Sequence, residues 1–226
     1  MRRGTVLFAI VTLAAMGFSA GMTAVADEYR VTVTNLTRGQ QFTPILVVSH
    51  TAGVKLFELG DPASMELEIL AEGGATGPLE SLLLGMSRQV LDTDVGGGLL
   101  DPGDSKTMTV DTTGRANRVS VASMLIPTND AFFAVNGVRG PNGNQEMVLF
   151  SPAYDAGSEV NDESCTTIPG PVCGGVGYDP AGGEGPIFVH AGIHGIGELE
   201  TADFDWRNPV ARISIVRVDE DDEDDD

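Results

Sequence analysis

Residues 29–34 read Tyr-Arg-Val-Thr-Val-Thr, an alternation of apolar and polar side chains that a helix cannot use and a half-buried strand requires. The pattern returns at residues 106–111, where Met108 and Val110 alternate with polar neighbours, at 118–125, and in the closing run 211–218. Residues 131–135 and 146–150 read as two further strands, with Pro141-Asn142-Gly143 between them as a hairpin-like turn. Residues 43–49 form a continuous, β-branched run that suits a strand covered on both faces, or one entering at an edge because of Pro44. With 29 Gly and 12 Pro to make turns and no repeating strand–helix period, seven or eight short strands predict a mainly β fold, an antiparallel β-sandwich.

One helical insertion interrupts the strands. Asp61-Pro62 predicts an N-cap followed by proline at the first helical position, with Ala63, Leu67, Leu70 and Ala71 on one face. The alternation in residues 65–69 competes for a strand, and helix is the favoured reading. Residues 78–84 predict a second short helical turn, separated from the first by Gly73-Gly74.

The ends of the chain read differently. Arg2 and Arg3, an apolar run over 6–16 and Ala24-Val25-Ala26 make residues 1–26 a secretory signal peptide, which leaves a folded domain over 27–218. No other stretch approaches a transmembrane length, so the mature chain is expected to be an exported, periplasmic or extracellular protein. Residues 219–226 are all Asp or Glu and predict a disordered acidic tail, for solubility or for weak cation binding. Without the leader, 11 Lys and Arg face 33 Asp and Glu, a formal charge of −22. Nucleic acid is thereby excluded as a partner, since its phosphates repel such a surface.

Export also bears on the two cysteines, Cys165 and Cys173, which predict a single disulfide closing a small Gly/Pro-rich loop. Such a staple contributes about 2 to 3 kcal/mol. The sequence carries no nucleophile elbow, zinc-protease motif or phosphate loop. His190 and His194 are a candidate transition-metal pair, with His50 a third ligand, although the glycines at 192, 195 and 197 oppose the helix that would align them. Acidic loops offer a different chemistry. Residues 127–130 follow the strongest strand and 154–159 follow the strand ending at Phe150; if those strands are neighbours, three carboxylates converge at one end of the sandwich, as Ca²⁺ requires.

These same segments carry a family resemblance. The opening YRVTVTNLT, the proline-led TPILVVSHT, MLIPTNDAF, the YDAGSE loop and the late Gly/His stretch resemble the N-terminal spondin domain found in F-spondin and in many bacterial exported proteins, over roughly residues 28–218. The resemblance implies a calcium-binding β-sandwich related to membrane- and matrix-binding modules. It carries the ion ligands onto Asp130, Asp155 and Glu159, the last a Glu where the family commonly has Asp.

Three functions follow as expectations. The first is an exported, non-enzymatic adhesion module with a structural Ca²⁺ site, whose partner is an extracellular or cell-surface polymer or protein. The second is a periplasmic transition-metal binder using His190 and His194, with methionines nearby. The third is a hydrolase with paired carboxylates facing a cleft. Trp206, the single tryptophan, is expected in the core.

Overall fold

The computed structural model describes residues 27–180 and 182–218; the expected signal peptide and acidic tail lie outside the described residues. The chain runs β1 (Asp27–Asn35), β2 (Gln41–Phe42), β3 (Ile45–His50), α1 (Met65–Gly73), α2 (Gly77–Leu84), β4 (Val90–Gly96), β5 (Ser105–Thr112), β6 (Arg118–Ile126) and β7 (Ala131–Arg139). It continues through β8 (Met147–Ser151), β9 (Ala153–Asp155), β10 (Phe188–Val189), α3 (Thr201–Phe204) and β11 (Ala211–Val218). Two antiparallel sheets result, one in the order β5-β1-β11-β8 and the other β10-β9-β7-β6-β3-β4, with β2 also paired to β6. The mainly β expectation holds. The seven strands read from the sequence are joined by β2, β4, β9 and β10, which are short or carry weak alternation.

Apolar residues from both inner faces make the main core. Tyr29, Val31 and Val33 of β1 pack there with Ile213 and Ile215 of β11, Phe42, and Phe133 of β7. The larger sheet buries its outer face too, because α1 and α2 lie over it: Leu46 and Val48 of β3 and Phe132 of β7 meet Leu67, Leu70 and Leu83. That second layer accounts for the unbroken apolar run in β3, whose six residues are all buried.

Two expectations are corrected. The helix begins three residues after Asp61-Pro62, with Ser64 as its N-cap accepting from the Leu67 amide. Residues 61–62 are instead tied to a distant segment, because the Ile187 amide donates to the Asp61 carbonyl and Pro62 bridges Pro186. The Pro141-Asn142-Gly143 segment is not a hairpin. It carries the chain from β7 in one sheet to β8 in the other, where β8 pairs with β11.

The first and last strands are neighbours, Glu28 pairing with Val218 and Asn35 with Ala211. At the far side of β1, β5 would end its sheet with an open row of amides. The carboxylates of β4 take two of them: the Thr109 amide donates to Asp94 Oδ2 and the Asp111 amide to Asp92 Oδ2, each at 2.9 Å. The two sheets are thus stitched along one border by side chains, and the β5 edge is closed to other chains. Asp92→Ala and Asp94→Ala are each expected to lower stability by about 0.5 to 1.5 kcal/mol, read as a reduced urea midpoint, with the double variant also self-associating in light scattering.

Candidate acidic site

Asp130 and Asp155 come together because β9 pairs with β7. Ala131, the first residue of β7, stands opposite Asp155, the last residue of β9. Two of the three carboxylates expected from the sequence, Asp130 and Asp155, are thus neighbours, through β9 and not through the strand ending at Phe150, which belongs to the other sheet.

Asp130 is fully buried, and its Oδ2 accepts three hydrogen bonds: from the Ser158 amide at 2.9 Å, the Glu159 amide at 3.1 Å and the Ser158 hydroxyl at 3.3 Å. Its Oδ1 is buried with no hydrogen-bond partner among the described residues. Asp155, also buried, accepts from the Gly157 amide at 2.8 Å through Oδ1 and from Asn161 Nδ2 at 2.6 Å through Oδ2. Gly157 sits at φ +67°, and a Cβ there would lie 2.6 Å from the Pro186 carbonyl, so only glycine lets the loop close.

The third carboxylate is Glu184. Ligand atoms of Asp130, Asp155 and Glu184 lie within 4.8 Å of one another. Asn161 holds Glu184 in place, its amide and side chain donating to Oε1 at 3.2 and 3.1 Å. Glu159, assigned to the ion by the resemblance, offers this cluster its main chain; its carboxylate lies on the other side, among Glu72, Asn129, Thr167 and Asp162. Glu184 escaped notice as a solitary acid in a glycine-rich stretch with no periodicity, though it is the single acidic residue between Asp179 and Glu198.

The histidines separate. His190 is buried against Trp206, ring centroids 5.0 Å apart. Its Nδ1 accepts from the Gly192 amide at 2.9 Å, so the proton of the neutral ring sits on Nε2, 3.1 Å from Asn161 Oδ1. Burial pushes its pKa down to about 4, so its Nε2, 3.7 Å from Asp155, makes no ion pair at neutral pH. His194 is exposed and lines the same cleft of ≈ 210 Å³ as His190, Asp155, Asn161, Glu163 and Glu184. His50 lies at the other end of the sheet. It pairs with Arg118 at the start of β6, and both ring nitrogens are engaged, by the Thr51 carbonyl at 2.7 Å and Ser120 Oγ at 2.8 Å. The length of β6, about 27 Å, separates it from the acidic loops.

Glu163 organises the cleft's rim. Buried and at φ 55°, it accepts from the His194 and Ile196 amides, the latter at 2.8 Å. Cys165 and Cys173 form the expected disulfide, and the Cys165 amide donates to Glu198, tying this loop to the same rim. Trp206 is buried in the main core, as expected.

A family model described as Spondin_N matches residues 31–158, more than half of the chain. The chain belongs to the spondin N-terminal family. Comparison with curated proteins returns no match. The spondin match takes in β1 to β9 and Asp130 and Asp155, and stops at Ser158; Glu159, Glu184 and both histidines of the cleft lie beyond it, a shorter reach than the resemblance suggested.

Burial sets the electrostatics of this spondin domain. Desolvation, joined by the charge of Asp155, pushes Asp130 up to about 8; desolvation raises Asp155 to about 6 and Glu159 to about 7. Hydrogen bonds from neighbouring amides oppose the shift at Asp130 and Asp155 without cancelling it. A carboxylate whose pKa rises on folding favours the folded state below its unfolded value and loses that contribution as pH climbs through the folded value. His190 acts oppositely, but only below its unfolded value of 6.5. With divalent ions chelated, stability is therefore expected to fall from pH about 4.5 to about 8, with His190 offsetting part of the fall below 6.5, lowering Tm by about 2–4 °C per kcal/mol lost. Asp130→Asn flattens that fall in a series of thermal melts.

Proposed function

We propose that this spondin domain is an exported, non-enzymatic binding module whose acidic loops are held by a structural Ca²⁺ ion. The observation that carries the reading is Asp130 Oδ1, a fully buried carboxylate oxygen with no hydrogen-bond partner among the described residues, beside Asp155 and Glu184. A hard cation with all-oxygen coordination fits this donor set, in which no imidazole or thiolate takes part. Asp130, Asp155 and Glu184 would hold it. The charge it supplies offsets the mutual repulsion of carboxylates that the loops otherwise bring together, which favours the closed loops and hence the folded state.

The other two readings draw less support. His190 and His194 share a cleft wall, yet Nδ1 of His190 is committed to the Gly192 amide and no group of three metal-ligating side chains among the described residues includes a histidine. A carboxylate hydrolase would draw on Asp155 and Glu184, which both line the cleft, but both belong to the acidic cluster assigned to the ion.

Export is supported by the leader-like first 26 residues and by the disulfide, which persists in oxidising surroundings. Among the described residues no helix is long and apolar enough to cross a membrane. The acidic surface favours a neutral glycan or protein ligand, or a calcium-bridged contact, over anionic lipid bound by charge alone.

Thermal unfolding in EDTA, CaCl₂ and MgCl₂ tests the reading. Calcium at about 100 times its Kd is expected to stabilise by about 2.7 kcal/mol, with magnesium giving less and the Asp130→Asn/Asp155→Asn variant giving no rise. An equal rise from both ions that survives in the variant would sink the calcium site.

A further inference from the structure

The acidic loops occupy one end of the sandwich, and arginines gather at the other. β6 begins at Arg118 and β7 ends at Arg139, and the two stand directly opposite each other in the ladder. Like charges so placed repel. Arg115, in the connection between β5 and β6, is exposed, as is Arg139. β11 brings Arg217 to the same end, where Arg139, Arg217, Asp27, Tyr29, Gly114 and Asn142 line a pocket of ≈ 170 Å³.

The described side chains balance this charge only in part. Arg217 pairs with Asp27, and Glu28 stands opposite Val218 in the ladder of β1 and β11. Among the described residues, Arg115, Arg118 and Arg139 form no ion pair; a guanidinium N–H of Arg118 donates to the Gly137 carbonyl at 2.7 Å. Three such arginines at one pole stand out in a chain where, without the leader, 33 acids face 11 bases. A supply of carboxylates follows directly in the chain. β11 ends at Val218, one residue after Arg217, and residues 219–226 read Asp-Glu-Asp-Asp-Glu-Asp-Asp-Asp. Eight residues extend at most about 29 Å, whereas the pocket begins at Arg217 itself. So short a tether gives the tail an effective concentration on the order of millimolar at that pole, so that exposed ion pairs worth little singly act together.

We propose that the arginine pole is a docking site for an acidic peptide and that its occupant is the chain's own tail, residues 219–226, whose carboxylates pair with Arg115, Arg118 and Arg139. The contact is intramolecular and relieves two repulsions at once, that of Arg118 with Arg139 and that of eight consecutive acids with one another. It also closes the pole to other anions. The proposal is independent of the calcium reading, which concerns the opposite end of the sandwich.

With divalent ions chelated, the guanidinium Nε–H resonances are compared by NMR in the mature chain and in one ending at Val218. At about 10 mM salt the tail is expected to shift Arg115, Arg118 and Arg139 and to leave Arg207, at the far end of β11, in place. At about 1 M, where charges are screened beyond about 3 Å, the difference is expected to vanish. Thermal melts give a second readout. Arg115→Gln/Arg139→Gln is expected to lower Tm of the full mature chain by about 2–4 °C. In the chain ending at Val218 the same change is expected to leave Tm unaltered or to raise it, because there it only relieves repulsion. Identical arginine resonances with and without the tail would overturn the proposal, as would an equal drop in Tm in both chains. So would a shift produced by adding unlabelled full chain to the labelled chain ending at Val218, since that puts the tail on a second copy. The resonance comparison needs no substitution, so a variant that fails to fold leaves the question decidable.

Discussion

The acidic end of this spondin domain depends on one carboxylate oxygen. Oδ2 of Asp130 gathers two main-chain amides and a hydroxyl from residues 158 and 159, across 28 positions of sequence, and so fixes the path of the loop after β9. Asp155, Asn161 and Glu184 inherit their positions from that path. A protonated Asp130 accepts those bonds more weakly, whereas an ionised one must be balanced from outside the protein. The same group is thus the organiser of the loop and the origin of its demand for a positive charge.

Among the described residues no basic side chain forms an ion pair with Asp130. Asp130, Asp155, Glu159 and Glu72 are all buried, and the imidazole nearest to them, His190, is kept neutral by its own burial. A protein that wanted only a rigid loop would be served by Asn at these positions, which bonds the same amides at no electrostatic cost. Among the described residues these carboxylates have no basic partner in an ion pair, so neutralising them falls to a proton or to a bound cation.

Much of the sandwich was legible in the sequence, because β1, β5 and β11 each bury mainly one face and show it as a period of two, and β6, though buried on both faces, keeps an alternation of apolar and small polar residues at its start. Burial on both faces explains β3. The misreadings share a cause: they concern contacts between segments far apart in the chain. Nothing near Asp61 announces that its carbonyl will be taken by Ile187, and nothing in residues 141–143 tells a hairpin from a crossing between sheets. β4 shows weak alternation because Asp92 and Asp94 serve the opposite sheet. The site divides in the same way. Asp130 and Asp155 flank strands and were recognised; Glu184 reaches the same end of the fold from a glycine-rich loop with no periodicity to mark it.

The side-by-side pairing of the first and last strands has a mechanical corollary. Asp27 and Val218 lie together at the end of the sandwich that also holds the close of β7 at Arg139, whereas the start of β7 holds Asp130. Attachments at either end of the domain therefore leave from the pole opposite the carboxylates, about 27 Å away along the strands. Tension applied through both ends would peel β1 from β11 at that pole first, unzipping their ladder one pair at a time, and would reach the acidic loops last. A head anchored this way presents its loops outward and shields them from the pull on its tether.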